Sequence, residues 1–247
     1  MRWAEPSLWA DRTPVESAVA SAHRAGQAEY PLGYRGAVTI VDRQYGGRAV
    51  SERKAERRQR FLDAAIRTFA ERGYANCSLA DVCTAAGLSK RQFYEEFQTR
   101  EDVLIASYDY IQDQSAAVVG QAVAALGPGT DIADGLTAVL TAFIGSISSD
   151  PYRAKVAFVE VVGVSERMEH HRRERRHAWA AAIEALLITI AGPDIRVRGG
   201  ITWAASALIG AINGVAHEWI LADPRPPITQ LVEVLAPIAT SLIITET

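Results

Sequence analysis

Cysteine is scarce in this 247-residue chain: Cys77 and Cys83 are the only two. With so few thiols, and with Met1-Arg2-Trp3-Ala4-Glu5-Pro6 lacking the apolar core of a secretory leader, the expected setting is a reducing cytoplasm. Long hydrophobic runs are also in short supply. The longest, residues 201–216, contains Asn213 and is followed by His217 and Glu218. It falls short of the roughly eighteen uninterrupted apolar residues of a membrane span, so it reads as a buried helix and no membrane partner is expected. Signatures of catalysis are missing too. No Ser-His-Asp order, glycine-rich phosphate loop, paired metal ligands or carboxylate dyad stands out, which argues against an enzyme and for a protein with no cofactor. No stretch shows convincing strand alternation, and the expected fold is all-α.

What is present is helical. Hydrophobic residues make up 49% of the chain, enough for a well-filled core in one large or two smaller helical domains. The formal net charge of −3 is unevenly spread: residues 1–50 carry +1, residues 51–100 carry +3 and residues 101–247 carry −7. A weakly basic module beside an acidic body fits a nucleic-acid reader joined to a separate partner domain.

Residues 1–50 hold Pro6, Pro14 and Pro31 without a sustained hydrophobic period. They read as a flexible N-terminal extension, with a short helix near 15–28 and some strand character at 36–41. An alternative for this stretch is a basic arm that touches the DNA minor groove through Arg43, Arg48 or Arg53. From Ser51 the pattern turns helical: Phe61, Leu62, Ala65, Ile66, Phe69 and Ala70 recur at helical spacing, and Gly73 is a natural stop. The early turns gather Arg53, Lys54, Arg57, Arg58 and Arg60, a cluster able to sit on phosphates or to form an ordinary solvated helix start. Three caps follow. Ser78-Leu79-Ala80-Asp81, Ser89-Lys90-Arg91-Gln92 and Thr99-Arg100-Glu101-Asp102 each put a hydroxyl three residues ahead of an acid or amide. With Gly87 between the first two, a helix over 78–86, a tight turn and a short helix from Ser89 make a helix-turn-helix inside a domain spanning 51–98.

The core side of this unit takes Leu79, Val82, Cys83, Phe93 and Phe97. Lys90, Arg91, Gln92 and Tyr94 are left outside with Glu95 and Glu96. Arg and Lys read guanine or grip phosphate, Gln pairs with adenine, and a Tyr hydroxyl reaches phosphate. The two glutamates are expected to face away or to pair with nearby arginines. The order Phe69-x-x-x-Gly73-Tyr74, Ser78-x-x-Asp81-Val82-x-x-x-Ala86-Gly87-Leu88-Ser89, Phe93-Tyr94-x-x-Phe97 and Arg100-Glu101-Asp102-Val103-Leu104 resembles the DNA-binding domain of the tetracycline-repressor (TetR) family over residues 58–104. The resemblance implies that Lys90, Arg91, Gln92 and Tyr94 meet DNA and that Arg100, opening the fourth helix, contacts backbone phosphate. Many members carry glycine and a small residue where this chain has Arg91-Gln92, so its base preference is its own. The full set of expected DNA contacts is Arg57, Arg58, Ser78, Ser89, Lys90, Arg91, Gln92, Tyr94 and Arg100.

Residues 99–247 are expected to form a helical effector-binding and dimerisation domain. Its helices are expected at 99–125, 132–148, 152–162, 165–191, 194–222 and 227–245, bounded by Gly127-Pro128-Gly129, Asp150-Pro151, Gly163, Gly192-Pro193 and Asp223-Pro224. Residues 201–212 are apolar nearly all round and need cover on more than one side. The resemblance puts the last two helices in a four-helix interface, and a homodimer is expected. Phe143, Phe158, Met168, Trp179, Trp203 and Asn213 are candidate walls of an effector pocket, each equally readable as plain core. The resemblance implies an apolar effector that loosens DNA binding by shifting the fourth helix. In residues 169–177, His170, Glu174 and His177 share a helix face, but four arginines in the same stretch oppose a metal and favour a solvated charged face. Cys83 reads as core and Cys77 as a helix flank, in preference to a redox switch.

The chain therefore reads as a one-component transcriptional regulator, a repressor whose hold on double-stranded operator DNA is relieved by a small, largely apolar effector. The alternative is a helical ligand-binding or interaction protein that does not read DNA, for which Glu95, Glu96 and the small charge of the head speak.

Overall fold

The structure, a computed structural model, describes residues 50–244 apart from Pro128 and Pro193. The extension over 1–49, with its helix near 15–28, its strand character at 36–41 and its arm through Arg43 and Arg48, lies outside the described residues. Helix α1, Val50–Arg72, exposes its charged first turns and buries Phe61, Leu62, Ala65, Ile66, Phe69 and Ala70. It stops at Gly73, whose φ of 81° is a conformation that a β-carbon opposes. After a short 3-10 turn, Tyr74–Asn76, come α2, Leu79–Ala86, α3, Lys90–Tyr94, and α4, Arg100–Ala124.

Each of these three starts is a reciprocal cap. The Asp81, Gln92 and Asp102 amides donate to the Ser78, Ser89 and Thr99 hydroxyls at 3.2, 3.2 and 3.1 Å. The three side chains reach back to the cap amides at 2.8, 2.9 and 2.8 Å. Such caps satisfy amides that the helix itself leaves free, which matters most for α3, with only five residues. Gly87, φ 63°, turns the chain between α2 and α3. Beneath α3, Phe61, Phe93 and Phe97 pack with ring centroids 5.4 to 6.1 Å apart.

The body follows as α5, Ile132–Ser148, α6, Pro151–Lys155, a π turn, Val156–Glu160, α7, Glu166–Ala191, α8, Ile201–Leu221, and α9, Thr229–Ser241. Three departures from expectation have local causes. The helix expected at 152–162 widens into the π turn. The one expected at 194–222 starts only at Ile201, because Gly199 and Gly200 take φ values of 68° and 83°. The last helix stops at Ser241, and two-residue strands pair instead: β1, Arg196–Val197, runs antiparallel to β2, Ile243–Ile244. Arg198 secures this end, its amide donating to the Leu242 carbonyl at 2.8 Å and its Nε to the Ser241 carbonyl at 2.9 Å.

Two apolar cores result. One joins α1 to α4 with the π turn, Met168, Ala216 and Ile220. The other holds α5, α7, α8 and α9 around Leu140, Leu187, Leu208 and Leu235. The sequence calls for cover on more than one side of α8, and within the chain one face is covered: Ala204, Ala205, Leu208, Ile212, Ala216 and Ile220 are inside, while Trp203 is 75% exposed. By length and composition alone α8 is apolar enough to cross a membrane, with a mean hydropathy of 1.2 over its most apolar window, of which 39% is buried. Such values are shared by core helices of globular proteins.

Candidate nucleic-acid interface

The sequence 89–94 makes a helix that has a buried side and an open one. Phe93 is fully buried and anchors α3, whereas Lys90, Arg91 and Tyr94 are exposed, Tyr94 at 60%. Ser89 is exposed at the cap, so its hydroxyl opens the same surface. Arg60 supports the turn from below, Nη2 donating to the Ala86 carbonyl at 2.7 Å, at the end of α2 where carbonyls lack helical partners. Two cations and a phenol on a rigid short helix can bond base edges and phosphates. The Ser89 hydroxyl is taken up by the cap, donating to Gln92 Oε1 at 3.0 Å and accepting from the Gln92 amide at 3.2 Å.

Several residues expected on DNA have other employment in the structure. The Gln92 amide oxygen accepts from the Ser89 backbone and hydroxyl, which leaves its NH2 group, and not the paired donor and acceptor that adenine requires. Ser78 is tied to Asp81 through both its amide and its hydroxyl. Arg100 is half-buried: it donates to the Cys77 carbonyl, and its guanidinium lies 4.1 Å from the centre of the Tyr74 ring. It thus joins α4 to the segment before α2. Arg57 turns away from solvent to Glu95 and Glu96, at 3.3 and 2.7 Å. Arg58 is exposed, its guanidinium 4.6 Å from the centre of the Phe97 ring. Arg53 of the suggested minor-groove arm sits exposed on the first turn of α1.

Burial pushes both the Cys77 and the Cys83 thiol up, and Cys77 donates to the Thr68 carbonyl at 3.3 Å. Neither is the exposed, low-pKa thiolate that redox chemistry needs.

Polar bonds fall into two sets, the first joining α4 to α7 within the body and the second joining the head to the body. Along α4, Asp102 meets Arg167 at 2.6 Å, Asp109 meets His171 at 2.7 Å, Asp113 meets Arg175 at 2.6 Å, and Gln112 accepts from the Trp179 indole at 2.8 Å. The charged stretch 169–177 is therefore not wholly a solvated face, as His171 and Arg175 dock on the acids of α4. Among the described residues no group of His, Cys, Asp and Glu is arranged to hold a metal. The second set comes from α6 and the π turn. Lys155 donates to the Ala70 carbonyl at 2.6 Å, and Glu160 accepts the Tyr74 amide at 2.7 Å. The sequence carries no local signal for Lys155, Glu160 or Arg60, since their partners lie 26 to 86 residues away.

The body interior is nearly full. Among the described residues, two apolar cavities of the body hold about 20 Å³ each. Phe143 and Phe158 line one of them with Trp219, Leu231 and Leu235. Trp179 lies outside that lining, edge-on to Phe143 at 5.0 Å. The other expected walls are placed differently. Met168 is solid core, Asn213 donates back to the Ile209 carbonyl of its own helix at 2.9 Å, and Trp203 faces outward. The apolar pattern of α8 is continuous around the helix and does not reveal which side turns in. A larger hollow, about 790 Å³, is an open groove between α1 and α4 lined by Arg58, Phe97, Asp102, Tyr110 and Arg167.

A predominantly helical fold that carries a capped helix-turn-helix at residues 78–94 has the architecture of helix-turn-helix regulators. Residues 61–106 match the family of bacterial regulatory proteins described as tetR family. The HTH-type transcriptional regulator CymR of Pseudomonas putida is 31% identical over 85 residues, 34% of this chain and 42% of that protein. The uncharacterised HTH-type regulator YerO of Bacillus subtilis is 31% identical over 55 residues, 22% of this chain and 19% of its own. The chain thus spans less than half the length of these curated relatives. Among solved structures, the fatty acid degradation regulator FadR of Bacillus halodurans superposes with a TM-score of 0.64 at 20% identity, over 74% of this chain and 94% of that one. FadR of Bacillus subtilis, solved with stearoyl-CoA, gives 0.65 at 17% identity over 75% and 99%. Residues 61–106 therefore match the tetR family of bacterial regulatory proteins, and the chain shares the fold of the solved regulators.

Proposed function

We propose that the protein is a one-component repressor acting as a homodimer in the cytoplasm, with a reading head at 51–98 and a sensing and dimerising body at 99–247. The observation that carries the reading is the exposed face of α3, where Lys90, Arg91 and Tyr94 stand on a helix pinned by Phe93. Arg58 adds a phosphate contact beside it, while Ser89 serves as the cap of the reading helix. Dimerisation is assigned to α8 and α9, which expose Trp203, Leu221, Val234 and Ile238, an apolar set suited to a two-fold contact. The effector enters among Phe143, Phe158, Trp219, Leu231 and Leu235. These walls suit an apolar chain, and the same fold in the Bacillus subtilis FadR structure carries stearoyl-CoA.

The test has two stages. The purified chain is offered a random-sequence duplex pool at a stated ionic strength, and enrichment of a two-fold symmetric site is expected. Stearoyl-CoA and free stearate are then titrated against the bound duplex, and release by either supports the apolar effector. A chain that enriches no sequence is the non-reading helical protein instead, and one that stays bound with both probes has a different effector chemistry.

A further inference from the structure

Four charges run in a line from the reading surface to α1: Arg91, Glu95, Arg57 and Glu96. Arg91 Nε lies 3.6 Å from Glu95, Arg57 Nη1 lies 3.3 Å from the other Glu95 oxygen, and Arg57 Nε and Nη2 both donate to Glu96 Oε1, at 3.1 and 2.7 Å. The Glu96 side chain is 2% exposed, so its carboxylate has left water, and among the described residues Arg57 is the one cation within ion-pair distance. At the outer end Arg91 is 91% exposed and its bond to Glu95 is weak and easily exchanged. A five-residue helix cannot hold its own C-terminal end, because nucleation costs more than so few bonds return.

We propose that Arg57 is a positioning residue of the DNA-reading surface and not a phosphate ligand: through Glu96 it fixes the end of α3, and through Glu95 it sets where Arg91 starts. The pairing also explains how two glutamates sit beside a polyanion, since Arg57 and Arg91 between them offset their charge. This inference rests on the DNA-reading function proposed above.

The test uses the full chain and the duplex it selects from a random pool; failure of the wild type to select any duplex removes the DNA reading itself. Given a selected duplex, Arg57→Gln is expected to weaken binding by roughly tenfold or more, because it strands a buried carboxylate. The slope of affinity against salt is expected to stay unchanged. Adding Glu96→Gln to Arg57→Gln restores an uncharged amide pair and is expected to recover most of the affinity. A phosphate ligand behaves otherwise: the salt slope falls by about 0.9 for each phosphate let go, and Glu96→Gln rescues nothing. That result, or wild-type affinity in Arg57→Gln, overturns the proposal. Should Arg57→Gln not fold, Glu96→Gln alone decides. Unchanged slope without tighter binding supports positioning, and tighter binding with a steeper slope shows a freed Arg57 gripping phosphate and overturns it.

Discussion

Between Phe61 and Asp102 every α-helix start is a reciprocal cap and the centre is three phenylalanines packed together, whereas α5 to α9 pack mostly aliphatic side chains, with Phe143, Phe158 and Trp219 among them, around cavities of about 20 Å³. The head is set by local bonds and presents its cations already formed. The body is set by distant packing and has no room for a ligand the size of an acyl chain. A head built this way is already formed for the DNA contact proposed for it. The effector proposed above requires the body to repack, and close-packed interiors do not deform smoothly. In that proposal the contacts available to carry the repacking are the bonds from α4 to Arg167, His171 and Arg175, and those from Lys155 and Glu160 to the head.

The contrast can be broken at its strongest points first. Phe93→Ala removes the anchor of α3, and a loss of about 3–5 kcal/mol in unfolding free energy is expected, together with loss of DNA binding. A variant that keeps selective binding shows that α3 does not depend on its aromatic floor. Leu235→Ala, beside the body cavity, is expected to cost about 2–5 kcal/mol and to open a dry apolar space. Benzene should then raise the melting temperature of the variant and not of the wild type; equal shifts mean that the body was open from the start. Ser89→Ala removes a cap and is expected to cost about 1 kcal/mol in chemical denaturation.

The smallest effect concerns pH. At Asp102 burial alone raises the carboxyl, but the bonds from Arg167 and Thr99 outweigh it and the net shift is downward. At Glu169 the Gly163 amide is the main cause of a lowered carboxyl, against burial and with help from Arg172. Unfolded carboxyls titrate near about 4. Groups lowered in the fold therefore contribute stability that is present above that value and is lost as pH falls through the folded values. Asp102→Asn should flatten the acid limb of the stability curve while changing neutral stability by under about 1 kcal/mol, since the Arg167 partner is 58% exposed. A variant with an unaltered acid limb removes the Asp102 to Arg167 bond from the account.

The head was legible because its signals are local. Ser78, Ser89 and Thr99 stand three residues from their partners, Gly73 and Gly87 sit where positive φ is needed, and Phe93 and Phe97 repeat at helical spacing. The same spacing carried a double meaning that sequence does not resolve. Gln92 was readable as cap or base contact, and Arg57 as phosphate ligand or partner of Glu96; the structure employs both inwardly. In the body, helix bounds were legible from Gly and Pro stops, but facing was not. Trp203 lies on a helix apolar all round, and only packing against α5, α7 and α9 decides that it points out. The strand pair joins Val197 to Ile243 across the whole of α8 and α9, and it follows from Gly199 and Gly200 holding back the start of α8.

The most direct measurement is the salt-titrated affinity of the wild type and of Lys90→Ala/Tyr94→Ala for the duplex that the wild type selects, beside a scrambled duplex. The expected result is a loss of roughly a hundredfold on the selected duplex, a much smaller change on the scrambled one, and an unaltered melting temperature. Equal binding of both duplexes by the wild type, or full selectivity in the variant, contradicts the assignment of α3 as the reading helix.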